Sequence, residues 1–148
     1  MTRLLPLALL FGLAGCGLFD AFDADRGSFS ATVRGDQRFD LDGSAYYVLV
    51  QDDPLTTGII LTDTDLPTIE FRFEGGSVRG TLYHIPADAS ATFELDRYDG
   101  APYRASGGTV EILRVSDTEA AGEFSFTATR GAESITVEGE FVAEREAE

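Results

Sequence analysis

Reactive side chains are few in this 148-residue chain, and their types narrow the chemistry it could perform. There is one thiol, Cys16, and one imidazole, His84, and neither tryptophan nor lysine is present. Carboxylates dominate: 26 acids stand against 11 arginines, a formal charge of −15. Asp40-x-Asp42-Gly43 and Asp63-x-Asp65 each set two carboxylates on one side of an extended chain, because side chains alternate along a strand. Oxygen pairs of this kind suit calcium, and paired carboxylates also carry glycoside hydrolysis. Neither pair opens a twelve-residue calcium loop ending in glutamate, and no tryptophan offers a sugar platform, so both are read as acidic turns. His84, beside Tyr83, has no cysteine partner and no G-x-S-x-G elbow to activate, and is read as a structural or surface histidine. One histidine cannot build a histidine-rich metal site. The residues therefore name no catalytic group, no metal ligand and no cofactor.

Two further groupings carry recognition chemistry. Arg34-Gly35-Asp36 spells a cell-adhesion tripeptide, but its Gly-Asp also serves a hairpin turn, and that need accounts for it. Tyrosine is amphipathic and favoured at contact surfaces. Tyr46 and Tyr47 are consecutive on a strand and point to opposite faces, so at least one belongs to the core. Tyr98 and Tyr103 flank Asp99-Gly100 with Arg97 and Arg104 beside them, which makes this loop the candidate binding edge, set against ordinary hairpin packing and cation–π pairing.

Cys16 gains meaning from what precedes it. Met1-Thr2-Arg3 is short and positive, and Leu4 to Ala14 is an apolar run of about eleven residues where a spanning helix needs roughly 20. That pattern is a signal segment and not a membrane anchor. Its end, Leu13-Ala14-Gly15-Cys16, resembles the lipobox of bacterial lipoproteins at every position. The resemblance implies cleavage between Gly15 and Cys16, a diacylglyceryl thioether on the Cys16 sulfur and an acyl group on its new amine. Two or more chains anchor a protein stably where one holds it only marginally. Residues 1–15 are then a lipoprotein signal peptide and Cys16 is the lipid-attachment residue. Gly17 stands where aspartate would retain such a protein in the inner membrane, which favours the outer membrane of a bacterial envelope.

Residues 16–27 read as a lipidated acidic tether. Leu18, Phe19 and Phe22 have the spacing of one helical turn or of residues that dip toward the bilayer. From Gly17 to Gly27 the extended chain reaches about 35 Å at roughly 3.3 Å per residue.

From Ser28 the hydrophobic period is two, and residues 28–148 are expected to form a single β domain. Phe29, Ala31 and Val33 alternate with Ser28, Ser30 and Thr32. Gly35-Asp36 and Asp42-Gly43 read as hairpin turns. Ala45–Gln51 is a near-continuous apolar run, expected as a strand buried on both faces. Further strands are expected at Thr57–Thr62, around Ile69–Phe73, from Val78 to about Ile85, around Ala91–Leu95, near Tyr103 and at Thr109–Ser116, with turns at Gly75-Gly76 and Gly107-Gly108. Asp117–Gly122 could be a brief turn. Phe124–Ala128 and Ile135–Phe141 form the clearest hairpin, across Arg130-Gly131-Ala132. Nine or ten short strands with hairpin-length connections imply an all-β, antiparallel fold. A β-sandwich is favoured slightly, with a lipocalin-like up-and-down barrel around a ligand cavity as the alternative.

The domain also resembles small all-β bacterial lipoproteins of unassigned activity, through Phe29–Gly35 (FSATVRG), Gly122–Thr129 (GEFSFTAT) and Ile135–Phe141 (ITVEGEF). The resemblance implies the fold and no activity, cofactor or catalytic residue.

The acidic field repels phosphate backbones and anionic headgroups, so nucleic acid is not an expected partner. A lone cysteine makes no intrachain disulfide, and a domain of about 130 residues buries enough surface to do without one. The functional expectation is a membrane-anchored envelope lipoprotein, held through lipid on Cys16, whose non-catalytic β domain binds or scaffolds a protein or a surface polysaccharide. A barrel carrier for an apolar ligand and a hydrolase resting on Asp40, Asp42, Asp63 and Asp65 are the alternatives.

Overall fold

Strict inside–outside alternation along long strands closes this chain on itself. The computed structural model describes residues 27–50, 56–63, 67–75, 78, 80–95 and 100–145, and these contain nine strands and no helix. The strands are β1 (Ser28–Gly35), β2 (Phe39–Val50), β3 (Thr56–Thr62), β4 (Thr68–Glu74), β5 (Leu82–Ile85), β6 (Ala89–Glu94), β7 (Tyr103–Val115), β8 (Glu119–Arg130) and β9 (Glu133–Arg145). They form one sheet in the order β5-β7-β6-β4-β3-β2-β1-β9-β8, and β8 pairs back onto β7. That last pairing joins the two sides of the sheet, and both contacts around it are antiparallel.

β5 and β6 lie along the same side of β7. Leu82–Ile85 pair with Gly108–Glu111, and Thr92 and Phe93 pair with Arg104 and Tyr103. Pro86–Asp88 turn outward between them. The two strands are thus one interrupted stave, and the molecule is an eight-stave up-and-down barrel. The sandwich expected from sequence is not what forms. The alternation is the same in either architecture. The deciding contact is between the first and last strands, Ser28–Gly35 against Ile135–Val142, which leaves the sheet no free side there.

Every stave sends its apolar set inward. One row runs Ala45, Leu61, Ile69, Phe93, Tyr103 through successive strand pairs, and another runs Val33, Val137, Phe126, Gly108. All of these but the half-buried Gly108 are buried, and the interior is filled by side chains. Phe71 lies at the centre, with ring centroids 5.1 Å from Phe124, 5.8 Å from Phe126 and 6.5 Å from Phe141. The Phe126 contact is edge-to-face, the arrangement the aromatic quadrupole favours. Thr57, the one buried polar residue among those described, donates its hydroxyl to the Gly75 carbonyl at 2.8 Å.

Two expected turns are strand interior. Asp42-Gly43 lies within β2, and Gly107-Gly108 within β7. In both, glycine answers a close backbone approach and not a chain reversal. A Cβ on Gly43 would run into the Thr62 carbonyl oxygen of β3, and one on Gly108 would run into the Ser125 carbonyl oxygen of β8. Gly108 also has φ near 140°, beside a bulge at Ala105/Gly107. The strands expected separately near Tyr103 and at Thr109–Ser116 are consequently one. Among the described side chains of the Ala45–Gln51 run, residues 45–48, burial is on one face: Tyr47 points in and Tyr46 points out, 39% exposed. The strand expected from Val78 is shorter, beginning at Leu82, although Val78 itself is buried. β8 already begins at Glu119, so only Ser116–Thr118 connects it to β7. The expected signal segment, Cys16 and the expected tether up to Arg26 lie outside the described residues, as do Asp65, Arg97, Tyr98 and Asp99.

The barrel has two distinct ends. Gly27, the Ser116–Thr118 turn and the last residues of β9 share one. Gly27 donates its N–H to Val142 and accepts from Ala45, both at 2.8 Å, and Arg145 donates to the Thr118 carbonyl at 2.8 Å. The Asp36–Arg38 and Gly131-Ala132 turns share the other.

Candidate functional site

Pairing β1 with both β2 and β9 assembles an acidic wall on the outside of the barrel. Ser30 stands opposite Asp42 on one side and Glu140 on the other, and Glu140 stands opposite Glu123 of β8, which stands opposite Glu111 of β7. The neighbouring row places Thr32 between Asp40 and Glu138. Small Ser30 and Thr32 form the floor of a surface groove of about 500 Å³, and Asp40, Asp42, Glu123, Glu138 and Glu140 form its walls. Like charges directly opposite one another on a sheet are destabilising, and here Glu123 faces two. The compensation seen is slight. Thr32 donates to Asp40 at 2.9 Å, and Arg34 approaches Glu138 at 3.9 Å with both side chains more than half exposed, where an ion pair contributes little.

The opposite end from Gly27 is closed by a polar seal. The Tyr103 ring is buried, and its hydroxyl emerges to donate to Glu133 at 2.9 Å. Arg130 reaches the same carboxylate at 3.0 Å and lies 4.4 Å above the Tyr103 ring centroid. Burial, then the bond to Glu133, raises the Tyr103 pKa above its ordinary 10.0. The hydrogen bonds from Tyr103 and Arg130 hold Glu133 below its ordinary 4.5. The adjacent turn is latched by Asp36, whose carboxylate accepts the Ser134 N–H at 2.7 Å. The seal holds the first turn, the start of β7 and the β8–β9 turn together.

The residues singled out from sequence are dispersed over this frame. Asp40 and Asp42 do share one face, and they join Glu138, Glu140 and Glu123, which sequence spacing did not bring to them. Their shared signal is the Glu138-x-Glu140 alternation, legible only once the β1–β9 pairing is known. Asp63 is exposed at the end of β3. Among the described residues no three His, Cys, Asp or Glu side chains converge to hold a metal ion. His84 is exposed on β5, its backbone tied to the Pro86–Asp88 turn: its N–H donates to the Asp88 carboxylate at 3.0 Å, and Asp88 N–H donates to its carbonyl at 2.7 Å. The aspartate of Arg34-Gly35-Asp36 is engaged by Ser134. Tyr83 packs on Phe73, centroids 4.7 Å apart. Tyr103, weighed between a binding edge and ordinary packing with cation–π pairing, is core, and Arg130, distant in sequence, lies over its ring. Comparison of the chain with known protein families, with curated proteins and with solved structures finds no match.

Proposed function

We propose that this protein is a bacterial envelope lipoprotein, held at a membrane through lipid on Cys16, whose β-barrel is a non-catalytic module that binds or scaffolds another protein or a surface polymer. The observation that carries the reading is Leu13-Ala14-Gly15-Cys16 behind a positive start and an apolar run too short to span a bilayer. The barrel supports a role for its outside rather than its lumen, because Phe71, Phe124, Phe126 and Phe141 occupy the space an apolar ligand would need. The acidic wall sorts partners by charge, favouring basic surfaces and repelling phosphate-bearing ones.

The test is metabolic labelling with a clickable fatty acid in a bacterial host. The wild-type chain is expected to carry the label and to fractionate with membranes. The Cys16→Ser chain is expected to lose both. A wild-type protein without label, or a Cys16→Ser protein still labelled and membrane-bound, would overturn the anchoring.

A further inference from the structure

The large apolar side chains left exposed on the described barrel are not scattered. They are Tyr46, Leu82, Leu113 and Val115, and none lies at the sealed end. Leu82 opens β5 and pairs with Glu111, which puts it diagonally across from Leu113 on the adjoining strand. Leu113 is the extra residue where the β7–β8 ladder shifts between Ile112 and Arg114, and a bulge turns a side chain out of the regular alternation. Val115 closes β7 at the mouth of the barrel. Their exposures are 43%, 48% and 38%. Backbone pairs connect this patch to the point where the tether joins the barrel: Arg114 to Ala121, Ala121 to Val142, and Val142 to Gly27. Tyr46 lies on the other side of that junction, next to Ala45, which bonds Gly27.

We infer that the rim formed by Leu82, Leu113 and Val115 is a membrane-contact surface that seats the barrel on a phospholipid bilayer with the sealed end pointing away. The inference rests on the lipid-anchor reading and adds an orientation and a contact to it. Gly27 is fixed in the rim, and the chain from Gly17 reaches no more than about 35 Å even when extended, at roughly 3.3 Å per residue. The rim is therefore the end at which the tether enters the barrel, and the one a short or folded tether brings to the lipid first. Its charges are mixed: Arg114 bridges Glu119 at 3.0 Å and Arg145 ends β9, with Asp117 and Glu144 exposed at the same end, and Leu82 pairs with Glu111, the last carboxylate of the wall's row. The exposed apolar side chains, and not the charge, are what set the rim apart as a face that gains from contact with lipid.

The single native cysteine makes this measurable. A thioether at Cys16 has no free thiol, so a cysteine introduced elsewhere is the one site for a thiol-reactive fluorophore. Full-length Leu113→Cys and Ala132→Cys chains, matured in a bacterial host and labelled, are reconstituted in phosphatidylcholine vesicles containing a spin-labelled lipid quencher. The dye at 113 is expected to be quenched several-fold more than the dye at 132, and adding Leu82→Glu is expected to lower the quenching at 113 toward that at 132. Equal quenching at the two sites in protein that floats with the vesicles overturns the orientation. Quenching at 113 that ignores Leu82→Glu overturns the contact. Dye found on the Cys16 peptide, in protein that does not float, overturns the anchor itself and the inference with it.

Discussion

Glu123 is the residue on which the acidic wall can be weighed. It stands directly opposite Glu140 on one neighbouring strand and Glu111 on the other, and it lines the groove. Glu123→Lys converts two like-charge pairs into two opposite-charge pairs without touching the interior, since Phe124 and Gly122 on either side keep their inward places. Cross-strand pairs are worth roughly 0.2–1 kcal/mol each. Exposure to solvent screens them, so a net gain of about 1 kcal/mol at low ionic strength is expected. For a domain of this size that raises the melting temperature by about 4 °C. At 1 M salt, where the Debye length is about 3 Å, the gain should largely vanish. The assay is urea or thermal unfolding of both proteins at low and high salt, with Glu123→Gln as the uncharged control falling between them. A Glu123→Lys protein no more stable than wild type at low salt, or a gain equally large in 1 M salt, would show that the carboxylates do not stand as the β7–β8–β9 register places them.

Three other outcomes follow from the same structure. Phe71→Ala, which empties the centre of the aromatic cluster, should cost about 3–5 kcal/mol in denaturant unfolding. Gly108→Ala should destabilise more than Gly131→Ala, because a methyl at 108 meets the Ser125 backbone while one at 131 meets nothing within 4 Å; equal melting temperatures would contradict the close β7–β8 approach. The Tyr103–Glu133 seal should give stability a dependence at both pH extremes. Glu133 has a lowered folded pKa, so its contribution is present above its ordinary 4.5 and is lost as pH falls through the folded value. Tyr103 has a raised folded pKa, so its contribution is present below 10.0 and is lost as pH rises toward the folded value. Tyr103→Phe should flatten the alkaline limb, and Glu133→Gln the acid one, in pH-dependent melting curves.

The strand content of this fold was legible because burial writes itself into a two-residue period. The Phe124–Ala128 and Ile135–Phe141 hairpin appears where the alternation puts it, and so do the inward sets of β1, β4 and β6. What the period does not carry is partner choice. Sandwich and barrel demand the same alternation, and only the pairing of Phe29 with Phe141 and of Val33 with Val137 separates them. Glycine misled for a related reason. Asp42-Gly43 and Gly107-Gly108 have the composition of turns, but their glycines serve another strand's backbone, a contact with no local signature. The wall and the seal share that origin: Glu138 reaches Thr32, and Glu133 reaches Tyr103, across long sequence separations. Leu13-Ala14-Gly15-Cys16, by contrast, is a contiguous string, so the resemblance on which the proposed anchor rests needs no partner strand to be seen.

Closure and filling together decide where this barrel can act. An open sandwich would offer an edge strand for a partner to extend, and main-chain hydrogen bonds would supply affinity with little regard to charge. Here β8 returns to β7 and β9 meets β1, so most of that route is taken up by the barrel's own strands; among the described residues the ladder thins at the interrupted stave, where β6 gives Thr92 and Phe93 alone to β7 and β5 pairs on its β7 side alone. A lumen would offer burial, and Phe71 with its neighbours already occupies it. Recognition is left to side chains on the outer wall, where the dominant groups are carboxylates over small hydroxyl residues. On the proposed reading, binding there is electrostatic, fast to form and weakened by salt. A lipid tether entering at Gly27 would suit such a surface, because it would keep the wall close to the membrane and raise the local concentration of whatever basic surface shares that layer. Affinity that the exposed carboxylates cannot supply singly would then come from confinement.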